Sequence, residues 1–143
     1  MRALAHFLVA AAVVAAACGG SGTGSSTGSS AGGTTITATL TDQAVKLDQP
    51  TADGGTVTFK AVNSGTVVHS LVLLKTDLPH DKIPADPKDA SRVDQTGALR
   101  ETGQIAVGQT KEFTVKLAAG NYVLVCNEPA HYVIGMHTGF TVK

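Results

Sequence analysis

From Thr35 onward apolar residues fall at every second position, and that period decides what the chain can fold into. In TITATLT, Ile36, Ala38 and Leu40 alternate with threonines; in TVTFKAV, Val57, Phe59 and Ala61 alternate with Thr58 and Lys60. In KEFTVKL, Phe113, Val115 and Leu117 share one parity, and Glu112, Thr114 and Lys116 take the other. Alternate residues of a strand lie on one face, so these segments read as half-buried strands. TVVHSLVLLK, from Thr66 to Lys75, and NYVLVC, from Asn121 to Cys126, are apolar on both parities and predict interior strands. Turn signals separate the runs at Asp53-Gly54-Gly55, Asn63-Ser64-Gly65, Gly108-Gln109 and Ala119-Gly120-Asn121. No segment sustains a helical period. The pattern predicts an all-β protein, a Greek-key sandwich or barrel of about seven to eight strands.

One stretch breaks the pattern. Thr76 to Gly103 is polar and carries Pro79, Pro84 and Pro87. It reads mainly as a long loop with a short helix around Lys88 to Val93, and loops of that length are usually functional or mobile.

The N-terminus has a different composition. Met1 and Arg2 precede an apolar run from Ala3 to Ala17, broken only by His6; it is too short to span a bilayer comfortably and ends in small residues. This reads as a secretory signal peptide over residues 1–17. Cys18 after Ala15-Ala16-Ala17 resembles the lipobox of bacterial lipoproteins, although Ala15 stands where leucine is usual. The resemblance implies lipidation of Cys18 and attachment to a membrane on the extracytoplasmic side. Residues 18–34, almost wholly Gly, Ser and Thr after the cysteine, predict a flexible linker, because they cannot bury enough surface to offset chain entropy. The folded domain is expected over residues 35–143. Without Arg2 the 11 basic residues fall one short of the 11 acidic ones, so no basic surface exists to attract nucleic acid.

Within that domain Cys126 is the only cysteine. It opens CNEPAHYVIGMH, where His131 and then Met136 follow at equal intervals of five. Cys126 ends a strand, Pro129 cannot continue one, and Gly135 lets the chain turn before a last strand from about His137 to Val142. The three side chains therefore bracket a loop that must curl around a point if they are to share a ligand. A thiolate with a thioether selects copper, and a His₂Cys set with a weak axial Met is the blue-copper arrangement. That set needs a second histidine. His69, on the same parity as Leu71 and Leu73, is the candidate.

With these residues in view, the chain resembles the cupredoxins, the small blue-copper proteins that include azurin, plastocyanin and auracyanin. The resemblance runs through VNSGTVVHSLVLL, VGQTKEFTVKLAAGNYVLVC and CNEPAHYVIGMHTGFTV, and the Cys-x4-His-x4-Met spacing is nearest the auracyanin-like members. It implies one type 1 copper per chain, with His69, Cys126 and His131 as equatorial ligands and Met136 as the axial one. It implies a monomeric, non-enzymatic carrier of single electrons between redox protein partners. The apolar surface of Pro129, Ala130, Tyr132, Val133 and Ile134 around His131 would be the docking patch. One position departs from the pattern: Ser70 stands where many cupredoxins carry an asparagine that braces the copper loop. Copper buffering or delivery uses similar ligands but leans on several exposed methionines, and only Met136 lies beyond the signal. His80 and Glu128 read as surface residues, and His137 as pointing away from Met136.

Overall fold

The computed structural model describes residues 33–143. The expected signal peptide, the lipidation site Cys18 and nearly all of the expected linker lie outside the described residues. Eleven strands follow in order: β1 (Thr34–Thr41), β2 (Ala44–Leu47), β3 (Thr51–Ala52), β4 (Gly55–Asn63), β5 (Val72–Lys75), β6 (Ala85–Asp86), β7 (Asp89–Val93), β8 (Ala98–Glu101), β9 (Thr110–Leu117), β10 (Gly120–Val125) and β11 (His137–Val142). They form a four-stranded sheet ordered β2-β1-β4-β9, a five-stranded sheet ordered β3-β11-β10-β5-β8, and the separate hairpin β6-β7. Parallel pairs β1/β4 and β3/β11 interrupt the otherwise antiparallel ladders.

The two sheets close on the residues that alternate in the sequence. Ile36, Ala38 and Leu40 of β1 and Val57, Phe59 and Ala61 of β4 are fully buried. They meet Leu73, Tyr122, Leu124, Phe140 and Val142 from the other sheet, and Leu71 just before β5. Phe59 sits at the centre, edge-on to Phe140 at 5.1 Å and tilted against Phe113 at 5.5 Å between ring centroids, separations favourable for aromatic pairs. The all-β sandwich read from the alternation is the fold of this chain.

Residues 76–103 differ from expectation. They hold no helix; they form β6, β7 and β8, and β8 extends the second sheet by pairing with β5. Asp86, Asp89 and Asp94 each accept the amide two residues on, from Lys88, Ser91 and Thr96. Such side-chain bonds stabilise turns in competition with helix. The segment also explains why β5 and β10 are apolar on both parities. Their outward residues Val72, Leu74, Val123 and Val125 form a second cluster with Ile83 and Val93 of the insertion and with Tyr132. Each such side chain contributes about 1.5–3 kcal/mol when removed from water, so without this cover the sheet would present an apolar outer face to solvent.

The register aligns three strand ends. Val125, the last residue of β10, pairs with Val72, the first of β5, and with His137, the first of β11. Residues just before β5, just after β10 and just before β11 therefore emerge side by side from one edge of the sheet. Cys126 and Met136 occupy two of those positions, and His69 lies three residues before β5.

Candidate metal centre

His69 does not lie within a regular strand, as its apolar neighbours suggested. It makes an isolated bridge with Ile105: its amide donates to the Ile105 carbonyl at 3.2 Å, and its carbonyl accepts the Ile105 amide at 2.7 Å. The segment leading to it is shaped by Asn63, which is buried. The Asn63 side-chain nitrogen donates to the carbonyls of Val67 and Ile105, and its oxygen accepts the Gly65 amide. This lifts the chain out of the sheet and turns the His69 ring inward, where it is wholly buried.

The loop from Cys126 to Met136 curls through its own backbone. The His131 amide donates to the Glu128 carbonyl, Gly135 to Tyr132, and Met136 to His131 at 3.1 Å; the Cys126 amide then closes the loop on the Met136 carbonyl at 2.9 Å. Gly135, at φ +107°, takes a conformation unfavourable for residues with a side chain. Extended, this stretch would separate its ends by many ångströms; folded, it returns to its origin within ten residues.

Three donors converge as a result. His69 Nδ1 and His131 Nδ1 are 3.2 Å apart, and they lie 3.8 and 3.4 Å from Cys126 Sγ. A point equidistant from the corners of that triangle lies about 2.0 Å from each. That is close to the distances of about 2.0–2.1 Å for imidazole nitrogen and about 2.3 Å for thiolate sulfur on a first-row ion such as zinc. Met136 is fully buried, and its backbone bonds to both Cys126 and His131 place it beside them. The residues present thus suit copper: soft thiolate and thioether with two imidazoles. Among the described residues this is the one group of three or more His, Cys, Asp or Glu donors gathered within 4.8 Å. A second histidine pair, His80 and His137, has its Nδ1 atoms 2.7 Å apart with centroids at 4.9 Å, a head-to-head hydrogen bond rather than a ligand cluster.

The surroundings of the sulfur and the rings are equally specific. Burial pushes the Cys126 thiol up, while the amides of Ser70 and Glu128 and the Ser70 hydroxyl pull it back. The Ser70 amide donates to Cys126 Sγ at 3.3 Å, and the Ser70 hydroxyl accepts the Asn127 amide at 3.3 Å. The hydroxyl therefore ties the His69 segment to the ligand loop, a bracing contact at the position where an asparagine is usual. The His131 imidazole is held below its ordinary range, first by burial and then by the neighbouring His69.

Two sequence expectations about this loop are corrected. Tyr132, expected in the exposed patch, is buried: its ring fills the second cluster, and its hydroxyl accepts the Ile83 amide at 2.8 Å and donates to the His80 carbonyl at 2.9 Å. Glu128, expected at the surface, is also buried, with Gln104 Nε2 at 3.2 Å and Arg92 Nη2 at 4.0 Å from its carboxylate. Both errors have one cause. The insertion folds over the loop and covers residues that nothing local would cover. Val93 and Asn127 exchange two hydrogen bonds, Arg92 donates to the Asn127 carbonyl, and the Ala130 amide donates to the Ser91 carbonyl at 2.7 Å. Pro129, Ala130, Val133 and Ile134 remain exposed beside the half-buried His131.

No family model matches the chain. Over 87 residues it is 32% identical to sulfocyanin of Sulfolobus acidocaldarius, a stretch covering 58% of this chain and 44% of that protein, so the match spans less than half of the relative's length. Auracyanin from the photosynthetic bacterium Roseiflexus castenholzii superposes with a TM-score of 0.57 at 28% identity, covering 78% of this chain and 99% of that one. Auracyanin A of Chloroflexus aurantiacus, described as a blue copper protein, gives 0.56 at 23% identity over 78% of this chain and all of that one, a likeness of fold. Sandwich topology, aligned strand ends and a His-Cys-His-Met donor set together give this chain the cupredoxin fold, with His69, Cys126, His131 and Met136 arranged as a type 1 copper site.

Proposed function

We propose that the protein is a type 1 blue-copper electron carrier, passing single electrons between redox partners at the outer side of a membrane. The observation that carries this is the triangle of His69 Nδ1, His131 Nδ1 and Cys126 Sγ, with sides of 3.2, 3.4 and 3.8 Å beside a buried Met136. Copper, when bound, supplies a couple between Cu(II) and Cu(I). The chain's part is to keep the donors still. The ligand backbones are hydrogen-bonded at one sheet edge and the Ser70 amide donates to the sulfur, so a change of charge at the centre requires little movement of its surroundings. Burial of His69, Cys126 and Met136 keeps water from the donors.

His131 is the half-buried ligand, and the exposed Pro129, Ala130, Val133 and Ile134 around it form the docking patch in this reading. Tyr132 supports that patch from beneath. Export by the signal sequence, a lipid anchor on Cys18 and a Gly/Ser/Thr tether would place a monomeric domain near membrane-bound partners.

The test is the visible spectrum of the purified protein on addition of copper. An intense red-region Cu–thiolate band, absent in Cys126→Ser, is expected together with a raised melting temperature, because an ion that binds the native state stabilises it by mass action. A colourless protein with unchanged melting rejects the reading. Single-electron exchange with a redox protein, measured by stopped flow, separates carrier from copper buffer.

A further inference from the structure

His69 uses both of its ring nitrogens. While Nδ1 faces the other donors, Nε2 lies 3.2 Å from Asp42 Oδ1, and the ring is fully buried. Asp42 belongs to the tight turn between β1 and β2, in the opposite sheet, 27 residues away in sequence. Thr66 fixes the carboxylate: its amide donates to Oδ1 and its hydroxyl to Oδ2, both at 2.7 Å. Gly65 leaves the space in which the contact forms. A Cβ there would stand 2.2 Å from Asp42 Oδ1 and 2.5 Å from His69 Nε2, overlapping both atoms. Three residues from two separate turns are thus arranged around one carboxylate-to-imidazole contact.

We propose that Asp42 is a positioning residue of the copper centre, holding the His69 ring through Nε2 so that Nδ1 is the ligating atom, and favouring Cu(II) over Cu(I). The inference rests on the copper reading above. A neutral imidazole carries one N–H. With that hydrogen donated from Nε2 to the carboxylate, the lone pair is on Nδ1, the atom that faces Cys126 and His131. A carboxylate bonded to the far nitrogen of a ligand histidine also orients the ring and raises its basicity. The negative charge behind the ring attracts Cu(II) more than Cu(I), because the pair energy scales with the product of the charges.

The test uses the full-length chain with Asp42→Asn, Asp42→Ala and Gly65→Ala. In the metal-free protein, long-range nitrogen–proton NMR correlations report the His69 tautomer, which is expected to be Nε2–H in the wild type and in Asp42→Asn, whose side-chain oxygen still accepts. Asp42→Ala and Gly65→Ala are expected to populate both tautomers, and Asp42→Ala to weaken Cu(II) binding about 10- to 100-fold. In Asp42→Asn the preference for Cu(II) over Cu(I) is expected to fall about tenfold, which raises a one-electron potential by about 59 mV. An unchanged tautomer in both Asp42→Ala and Gly65→Ala overturns the positioning role, and an unchanged potential in Asp42→Asn overturns the charge role. If the wild type binds no copper, the copper reading alone falls; the metal-free tautomer measurement still decides whether Asp42 holds the ring.

Discussion

Replacing Tyr132 by Phe removes one oxygen atom and separates two views of the ligand loop. On a surface patch the loss of a hydroxyl changes stability by no more than about 0.5 kcal/mol. In the structure that oxygen accepts the Ile83 amide at 2.8 Å inside a buried cluster, and it donates to the carbonyl of the exposed His80 at 2.9 Å. The His80 carbonyl can turn to water. The Ile83 amide cannot, and an unpaired buried donor costs about 1–3 kcal/mol. The phenyl ring stays packed among Val72, Leu74, Ile83, Val93, Val123 and Val125, so no large cavity opens. The expected loss is therefore about 2 kcal/mol, or about 8 °C at about 4 °C per kcal/mol for a domain of this size. Urea unfolding followed by circular dichroism, with and without copper, measures it. Hydrogen exchange at the Ile83 amide should accelerate as well. A change under 0.5 kcal/mol with normal Ile83 protection would refute the role given to this hydroxyl.

Other outcomes follow from the same contacts. Asn63→Ala deletes three hydrogen bonds that shape the approach to His69; a loss of about 3 kcal/mol and a smaller copper-induced rise in melting temperature are expected by calorimetry. Gly135→Ala places a side chain at φ +107° with its Cβ 3.1 Å from the Gln43 carbonyl. Strain of roughly 1–3 kcal/mol should appear as a lower urea midpoint. Asp89 and Asp94 are held below the ordinary value of 3.8, chiefly by the Ser91 and Thr96 hydroxyls and then by their amides. With folded values below the unfolded one, their contribution is complete above pH 3.8 and is lost as pH falls through the lower folded values. Exchange protection of the Ser91 and Thr96 amides should accordingly persist to that pH and decline below it; a decline beginning near neutral pH would contradict the assignment.

Much of the site could be read from residue types and intervals. Cys126, His131 and Met136 announce themselves because soft donors at equal spacing have no purpose in a strand connection. His69 was detectable because an imidazole is expensive among Leu71 and Leu73 unless something binds it. Asp42 and Gly65 carried no such signal: an aspartate in a turn and a glycine after Asn-Ser are ordinary turn residues, and only the packing of one sheet against the other brings them to the ring. The insertion misled for a related reason. Its prolines and aspartates argued for loop or short helix, and the doubly apolar strands β5 and β10 hinted at a cover without saying which segment supplied it.

The alternation of Ile36, Ala38, Leu40, Val57, Phe59 and Ala61 was by itself enough to determine half-buried strands, and so a sandwich or barrel, because side-chain direction in a strand has a period of two whatever the partner strand. Donor chemistry was likewise settled by composition, since sulfur and imidazole choose their metal by softness. Only the tertiary structure decided that Tyr132 and Glu128 are buried, that residues 76–103 clasp the ligand loop, and that Asp42 stands behind His69. These are facts of register and cover. They depend on which distant segments meet, and the energy of such meetings is shared among residues that no local pattern connects.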